Sequence, residues 1–137
     1  MARMRELEFR AWWKDTKRFL DCDEWYMTCS GAKYLHYAVM PYKDDNFIIE
    51  QYTGLKDKNG QKIYEGDIVS EEFEYGGEKT KTIWQVRWSD DECAFELHYV
   101  SGFEVDDCSL VADDEEDYEV IGNIHENSEL LETQNVD

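Results

Sequence analysis

The sequence contains little or none of several features that are typical of particular classes of protein. One proline and eight glycines in 137 residues exclude a collagen-like or proline-rich disordered chain. No apolar run approaches the roughly 18 residues that a membrane-spanning helix needs. Residues 1–10 are rich in charge and lack the apolar stretch of a secretion signal. A cytoplasmic protein is therefore expected, with its four cysteines as reduced thiols.

Basic residues are missing from the last part of the chain. All 14 Lys and Arg lie at or before Arg87, whereas 33 acidic residues are spread over the whole sequence. Residues 88–137, called the acidic stretch below, hold 17 acidic residues and no Lys or Arg, and the net charge of the chain is −19. Such a charge repels nucleic acid and anionic membranes and attracts proteins with basic clefts. We therefore expect a basic protein partner, with no direct nucleic-acid or membrane partner.

What is present predicts a β protein. Hydrophobic residues make up 42% of the chain, and in several segments they alternate with polar ones, as Phe95, Leu97 and Tyr99 do with Glu96 and His98. The predicted strands cover residues 7–13, 19–27, 47–52, 63–64, 68–75, 80–88, 93–99 and 118–124. Residues 32–40 fit a helix or a strand, and Asn127 or Ser128 is expected to cap a short helix.

Short strands joined by Gly and Asn turns indicate a mainly β fold, or an α+β fold with one or two short helices. The expected architecture is a small SH3-like barrel or a rolled antiparallel sheet. The length predicts a single domain over residues 1–132, with an acidic half from residue 88 onward and a frayed tail at 133–137. Turns are predicted at Thr53-Gly54, at Asp57–Gly60 and at Glu65–Asp67. We interpret Gly54, Gly60, Gly66 and Asp67 as structural turn residues.

Three blocks of the sequence, at 6–13 (ELEFRAWW), 51–69 (QYTGLKDKNGQKIYEGDIV) and 120–131 (VIGNIHENSELL), resemble the YopX-like family of phage and prophage proteins. The resemblance implies a phage or prophage gene and a mostly β fold. It also implies a location in the cytoplasm of an infected bacterium. It implies no catalytic activity.

No constellation of residues indicates an enzyme or a metal site. The cysteines and histidines form no local signature of nucleophilic catalysis, and Cys93 is placed on the apolar face of its strand. Cys22 and Cys29 are seven residues apart and Cys93 and Cys108 fifteen, too far for the usual zinc-ligand pair. The Gly76-Gly77 pair fits a hairpin and not a phosphate-binding loop. We expect no catalytic residue, no metal and no cofactor.

Two charged segments remain as binding candidates. The N-terminal basic patch, together with Trp12 and Trp13, could stack on bases or dock on the acidic surface of a neighbouring subunit. Because the net charge opposes approach to nucleic acid, we favour docking on a neighbouring subunit, hence a homo-oligomer. The basic patch consists of Arg3, Arg5, Arg10, Lys14, Lys17 and Arg18.

The leading hypothesis is that the acidic stretch replaces DNA in a basic cleft of a host protein, either a CRISPR–Cas effector or a restriction enzyme. The chain would then be a non-enzymatic anti-CRISPR or anti-restriction protein, with Phe103 and Tyr118 as apolar anchors. The alternatives are a structural or oligomeric phage accessory protein and a purely solubilising acidic surface. The predicted partner-binding residues are Asp106, Asp107, Asp113, Asp114, Glu115, Glu116 and Asp117.

Overall fold

The protein is mostly β in a computed structural model that describes residues 6–30, 33–35, 42–43, 47–110 and 117–135. This confirms the predicted fold class. Within the described ranges no helix has the length and apolar character needed to span a bilayer. The strands are β1 (Phe9–Trp13), β2 (Arg18–Phe19), β3 (Trp25–Met27), β4 (Lys33–Leu35), β5 (Tyr42–Lys43), β6 (Phe47–Lys56), β7 (Lys62–Tyr64), β8 (Asp67–Tyr75), β9 (Glu78–Ser89), β10 (Ala94–Gly102), β11 (Cys108–Ser109) and β12 (Tyr118–Asn123), and a 3₁₀ helix covers Ser128–Asn135.

The chain divides into two compact units. Glu8–Gln51 form the N-terminal unit, and Met1–Leu7 with Tyr52–Asp137 form the main unit. The single domain predicted over residues 1–132 stays a prediction. The 3₁₀ helix begins at Ser128, where a short helix is predicted, and includes the first residues of the predicted frayed tail. Residues 136 and 137 lie outside the described residues.

The N-terminal unit contains two small antiparallel sheets. Strand β1 pairs with β2 on one side and with the first half of β6 on the other, while β3, β4 and β5 form the second sheet. Its core consists of Ala11, Trp13, Leu20 and Leu35. The single strand predicted over 19–27 is wrong, because a turn closed by a hydrogen bond from Glu24 N to Asp21 O separates β2 from β3. Most of the ambiguous segment 32–40 lies outside the described residues.

The main unit is built on a five-stranded antiparallel sheet in the order β11-β10-β9-β8-β12, curled into a half-barrel. Alternation along β9 turns Trp84 and Val86 into the core, as the sequence pattern predicts. The predicted turn at Gly76-Gly77 joins β8 to β9, with positive φ at both glycines. The buried core cluster consists of Ile63, Val69, Trp84, Val86, Leu97 and Tyr118.

Two local predictions are wrong. Thr53-Gly54 does not form a turn between strands but lies inside β6, where the pairing register with β7 shifts between Tyr52 and Lys56. Gly54 has φ of 91°, so this glycine produces an irregularity within the strand. Cys93 is exposed and not on an apolar face, because it still belongs to the β9–β10 turn, with φ of 51°.

Candidate partner-binding surface

Asp57 joins two of the sequence blocks that were singled out above. Its carboxylate is buried and accepts hydrogen bonds from the backbone N–H groups of Asn59 and Gln61 at Oδ1, each 2.9 Å long. Its Oδ2 accepts a third bond, also 2.9 Å, from the N–H of Val120 in β12. The Asp57 side chain therefore joins the turn after β6 to the last strand, together with a 2.9 Å backbone hydrogen bond from Lys58 N–H to Tyr118 O. Sequence analysis missed this role, although an aspartate two residues before Asn-Gly is a signal of such a turn.

The turn at residues 65–67 is also part of this connection. Asp67 Oδ2 accepts a 2.8 Å hydrogen bond from the N–H of Tyr64. Gly66 donates to Val86 O at 2.8 Å and accepts at its own carbonyl from Ile124 N–H at 2.9 Å. Gly66 has φ of 89° and Gly60 φ of 82°, values that only glycine adopts without strain. These residues stabilise the fold of the main unit.

The third block forms a compact turn after β12. Asn127 Oδ1 accepts a 3.1 Å hydrogen bond from Asn123 N–H, and Asn123 Oδ1 accepts from the N–H groups of His125 and Glu126. A Cβ on Gly122 would lie 2.5 Å from Asn127 Oδ1, so only glycine fits there. The described hydrogen bonds of these three turns are thus made within the protein itself.

Asp106 and Asp107 lie together in the connection between β10 and β11. Asp106 is exposed. Asp107 is directed at β10, since its Oδ1 accepts a 2.8 Å hydrogen bond from Tyr99 N–H and its Oδ2 lies 3.1 Å from His98 Nδ1. His98 Nε2 lies 3.2 Å from Glu96 Oε1, so this histidine stands between two carboxylates. Part of the predicted acidic surface is therefore already engaged within the sheet.

Asp117 is exposed and precedes β12, which is the edge strand on the other side of the sheet from β11. Strands β8 and β9 separate β12 from β10 in the order of the sheet. The structure brings Asp106 and Asp107 together but does not place Asp117 beside them in the sheet. The other predicted members, Asp113, Asp114, Glu115 and Glu116, lie outside the described residues.

Of the two proposed apolar anchors, only Phe103 is accessible. Tyr118 has 1% of its surface exposed and belongs to the core of the main unit, so its role as an anchor is wrong. Its position at the start of β12, opposite Glu71 of β8, places the ring on the core face. Phe103 is half-buried and lies against Phe73 and Tyr75, with ring centroids 5.4 and 5.1 Å away.

Two arginines of the N-terminal basic patch, Arg10 and Arg18, are engaged within the N-terminal unit. Arg10 Nε donates a 2.9 Å hydrogen bond to the buried Glu50, and the guanidinium lies 4.6 Å from the Phe19 ring centroid. Arg18 donates two bonds to the Glu24 carboxylate, of 2.9 and 2.7 Å. The Arg18 bonds, followed by one from Asp21 N–H, lower the pKa of Glu24 to about 2.

The aromatic part of this patch is not available for stacking on bases. Trp12 is 7% and Trp13 is 9% exposed, so both rings belong to the interior. Lys14 and Lys17 are exposed, and Arg3 and Arg5 lie outside the described residues. Among the residues that the structure describes, no group of three or more His, Cys, Asp or Glu side chains is arranged to hold a metal ion.

Comparison with known proteins yields a family, and the solved structures that match include the following two. The family model described as YopX protein matches residues 8–132. Protein EF1440 from Enterococcus faecalis is 24% identical and yopX from Bacillus subtilis 19% identical, each with a TM-score of 0.60. Each comparison covers 93% of this chain and 99% of the other, and at these identities the likeness shows the fold alone. No curated protein matches the sequence.

Proposed function

This chain belongs to the YopX family, and from that premise we propose that it is a non-catalytic, phage-encoded inhibitor of a basic host protein. The target is a nucleic-acid-binding defence protein, either a CRISPR–Cas effector or a restriction enzyme, whose cleft accepts carboxylates in place of phosphates. The observation that carries the proposal is the acidic stretch, with 17 acidic residues and no Lys or Arg in residues 88–137.

Charge density is what makes such a substitution physically reasonable. Duplex DNA presents one charge per roughly 1.7 Å of its axis. Asp91, Glu92, Glu104 and Asp106 are exposed, and none of them forms an ion pair with another described residue. These exposed carboxylates accelerate the approach of a cationic cleft and make the association sensitive to salt.

The competing hypothesis of a homo-oligomeric accessory protein has less support. It requires the N-terminal basic patch to bind the acidic surface of a second copy, but Arg10 and Arg18 already face Glu50 and Glu24. A salt-sensitive homo-oligomer without a host partner is therefore treated as an outcome that would contradict the proposal.

The first experiment identifies the target and then measures competition. The tagged chain is used to capture partners from the bacterial host, and captured nucleic-acid-binding proteins are identified by mass spectrometry. Each is then loaded with a labelled DNA duplex and titrated with the chain. We expect release of the duplex, with an apparent affinity that falls steeply as NaCl rises from about 50 to about 300 mM.

Two variants of equal net charge test whether the acidic stretch is responsible. D113N/D114N/E115Q/E116Q/D117N neutralises five carboxylates of the acidic stretch and should weaken displacement at least tenfold. D15N/D21N/D23N/E72Q/E74Q neutralises five carboxylates before Arg87, all exposed, and should weaken it much less. Equal effects of the two variants, or binding that is insensitive to salt, would exclude DNA mimicry even if the protein inhibits its target.

A further inference from the structure

The β8–β9 hairpin extends beyond the strands on either side of it. Strand β12 begins opposite Glu71, and β10 ends opposite Thr82. Among the described strands, residues 72–75 and 78–81 therefore pair only with each other. This segment, called the ribbon below, is roughly 13 Å long at the usual strand rise. An isolated two-stranded ribbon is marginally stable by itself, so its side chains need further contacts.

One face of the ribbon carries a cluster of three aromatic rings. Phe73 and Tyr75 come from β8, and Phe103 comes from the segment that follows β10. The Phe73 and Phe103 centroids are 5.4 Å apart at an interplanar angle of 86°, and those of Tyr75 and Phe103 are 5.1 Å apart at 48°. Tyr75 is 65% exposed, the largest exposed fraction among the large hydrophobic side chains of the described residues.

The backbone holds Phe103 firmly in this position. Phe103 N–H donates a 2.9 Å hydrogen bond to Lys81 O, and the Thr82 hydroxyl donates a 2.8 Å bond to Phe103 O. Gly102 has φ of 91°, and a Cβ at this glycine would lie 2.4 Å from Lys81 O. The cluster is therefore preorganised, and aromatic side chains that need no further ordering make efficient binding anchors.

The two faces of the ribbon differ in charge. Directly opposite residues of antiparallel strands share a face. On one face Glu72 lies opposite Lys81 and Glu74 lies opposite Lys79, so positive and negative charges balance. On the aromatic face Glu78 lies opposite Tyr75. Glu104 is the residue that follows Phe103 in the sequence. Both glutamates are exposed, and neither forms an ion pair with another described residue.

We propose that the aromatic face of the ribbon binds an arginine-bearing segment of a basic protein partner. An exposed tyrosine ring packed on two half-buried phenylalanine rings, with an uncompensated carboxylate opposite it, suits a guanidinium. The guanidinium stacks on a ring while it donates hydrogen bonds to carboxylate oxygens. A lysine ammonium is a compact, strongly hydrated charge and gains less from the rings. This inference rests on the proposed function for the partner's class, and it adds a hot spot that charge alone does not supply.

The test uses two labelled probe peptides, nine arginines and nine lysines, and the full-length protein. Fluorescence anisotropy measures their affinities at about 150 mM NaCl. The wild type should bind the arginine peptide several-fold more tightly than the lysine peptide. Y75A should lose about tenfold in arginine-peptide affinity and most of this preference, whereas Y75F should retain both. Because Tyr75 is exposed, circular dichroism should show Y75A to be folded.

A pair of charge variants on the two faces provides the matched control. E78Q/E104Q removes the carboxylate opposite Tyr75 and the one that follows Phe103 in the sequence, and should weaken binding of the arginine peptide about fivefold. E72Q/E74Q removes two carboxylates from the opposite face of the same ribbon and should change the affinity less than twofold. Equal effects of the two double variants would overturn the inference, as would Y75A binding the arginine peptide within twofold of the wild type.

The inference and the proposed function fail in different ways. If Y75A displaces DNA from the captured target as well as the wild type does, but the five-carboxylate variant of residues 113–117 does not, the inhibitor function stands and the ribbon site is wrong. If the peptide preferences follow the prediction but no target releases DNA, the ribbon site stands and the inhibitor function is wrong.

Discussion

At the scale of single residues, carboxylates serve two opposite purposes in this protein. Asp57 is buried and its oxygens are occupied by three backbone N–H groups. Asp91 and Asp106 are exposed and make no ion pair with another described residue. Residue type alone does not distinguish the two uses. The turn residues that follow Asp57 do, because an Asx turn needs an acceptor two residues before the N–H that it binds.

Replacement of Asp57 by asparagine tests its structural role. One carboxylate oxygen becomes an amide NH₂ group that faces a backbone donor, so at least one hydrogen bond is lost in a buried position. We expect D57N to lower the free energy of unfolding by about 2 kcal/mol, as measured by urea denaturation. The exposed Asp23 provides the control, and D23N should lie within about 0.5 kcal/mol of the wild type. A D57N variant as stable as the wild type would contradict this account.

Glu24 should make stability depend on acid pH. Arg18 and the Asp21 N–H lower the pKa of Glu24 from 4.5 to about 2. A lowered pKa in the folded state means that the ionised carboxylate stabilises the fold above pH 4.5, and that this contribution is lost as the pH falls towards 2. The Tm of E24Q should be below that of the wild type at pH 6, and the two should converge near pH 2. A Tm difference that is constant across this range would contradict the prediction.

At the scale of elements, the residues at the ends of strands determine how the chain continues from each strand. Strand β10 ends at Gly102, whose positive φ turns the chain so that Phe103 lies on the ribbon. Strand β12 begins at the buried Tyr118 and ends at Asn123, which closes the following turn. Strand β6 continues past the predicted end at Tyr52, because Gly54 allows an irregularity in place of a turn.

Substitutions at two glycines with positive φ distinguish the cost of a steric clash from the cost of backbone strain. A Cβ at Gly102 would lie 2.4 Å from Lys81 O, whereas one at Gly76 would have no atom within 4 Å. G76A should therefore lower the free energy of unfolding only because alanine is strained in the left-handed conformation, by about 1 kcal/mol. G102A adds a backbone clash and should cost about 3 kcal/mol in total. Urea denaturation measures the stability of both variants. Equal losses of stability would contradict a close approach at Gly102.

At the scale of the whole molecule, the main feature is the uneven distribution of charge. The net charge is −19, and the acidic stretch contains no Lys or Arg to offset its 17 acidic residues. Like charges at this density repel one another within the folded protein. The same repulsion keeps molecules apart in solution and strengthens attraction to any cationic surface. Stability and partner binding should consequently respond to salt in opposite directions.

Added salt should stabilise the fold. Screening weakens the repulsion between carboxylates, so the Tm should rise as NaCl increases from about 20 to about 300 mM. A gain of 1 kcal/mol corresponds to roughly 3 °C for a chain of this length. The five-carboxylate variant of residues 113–117 has less repulsion to screen and should show a smaller rise in differential scanning calorimetry. A Tm that falls with salt would mean that attractive ion pairs outweigh the repulsion.

The sequence by itself determined the fold class, most strand positions and the family. Alternation along β9 and β10 places residues on the two faces of a strand whatever its partners are, and Gly76-Gly77 turns the chain for local steric reasons. Net charge likewise depends only on composition, and its segregation along the chain depends only on the order of the residues. These properties are local or additive, which is why they are readable before any contact is known.

Only the tertiary structure decided which residues meet. Asp57 and Val120 are bonded although 63 positions separate them, and Phe103 reaches Phe73 and Tyr75 only because Gly102 bends the chain back onto β9. Tyr118 looked like an accessible anchor but is buried, since pairing of β12 with β8 turns its ring inwards. Contacts of this kind depend on strand order and register across the sheet, which no short stretch of sequence contains.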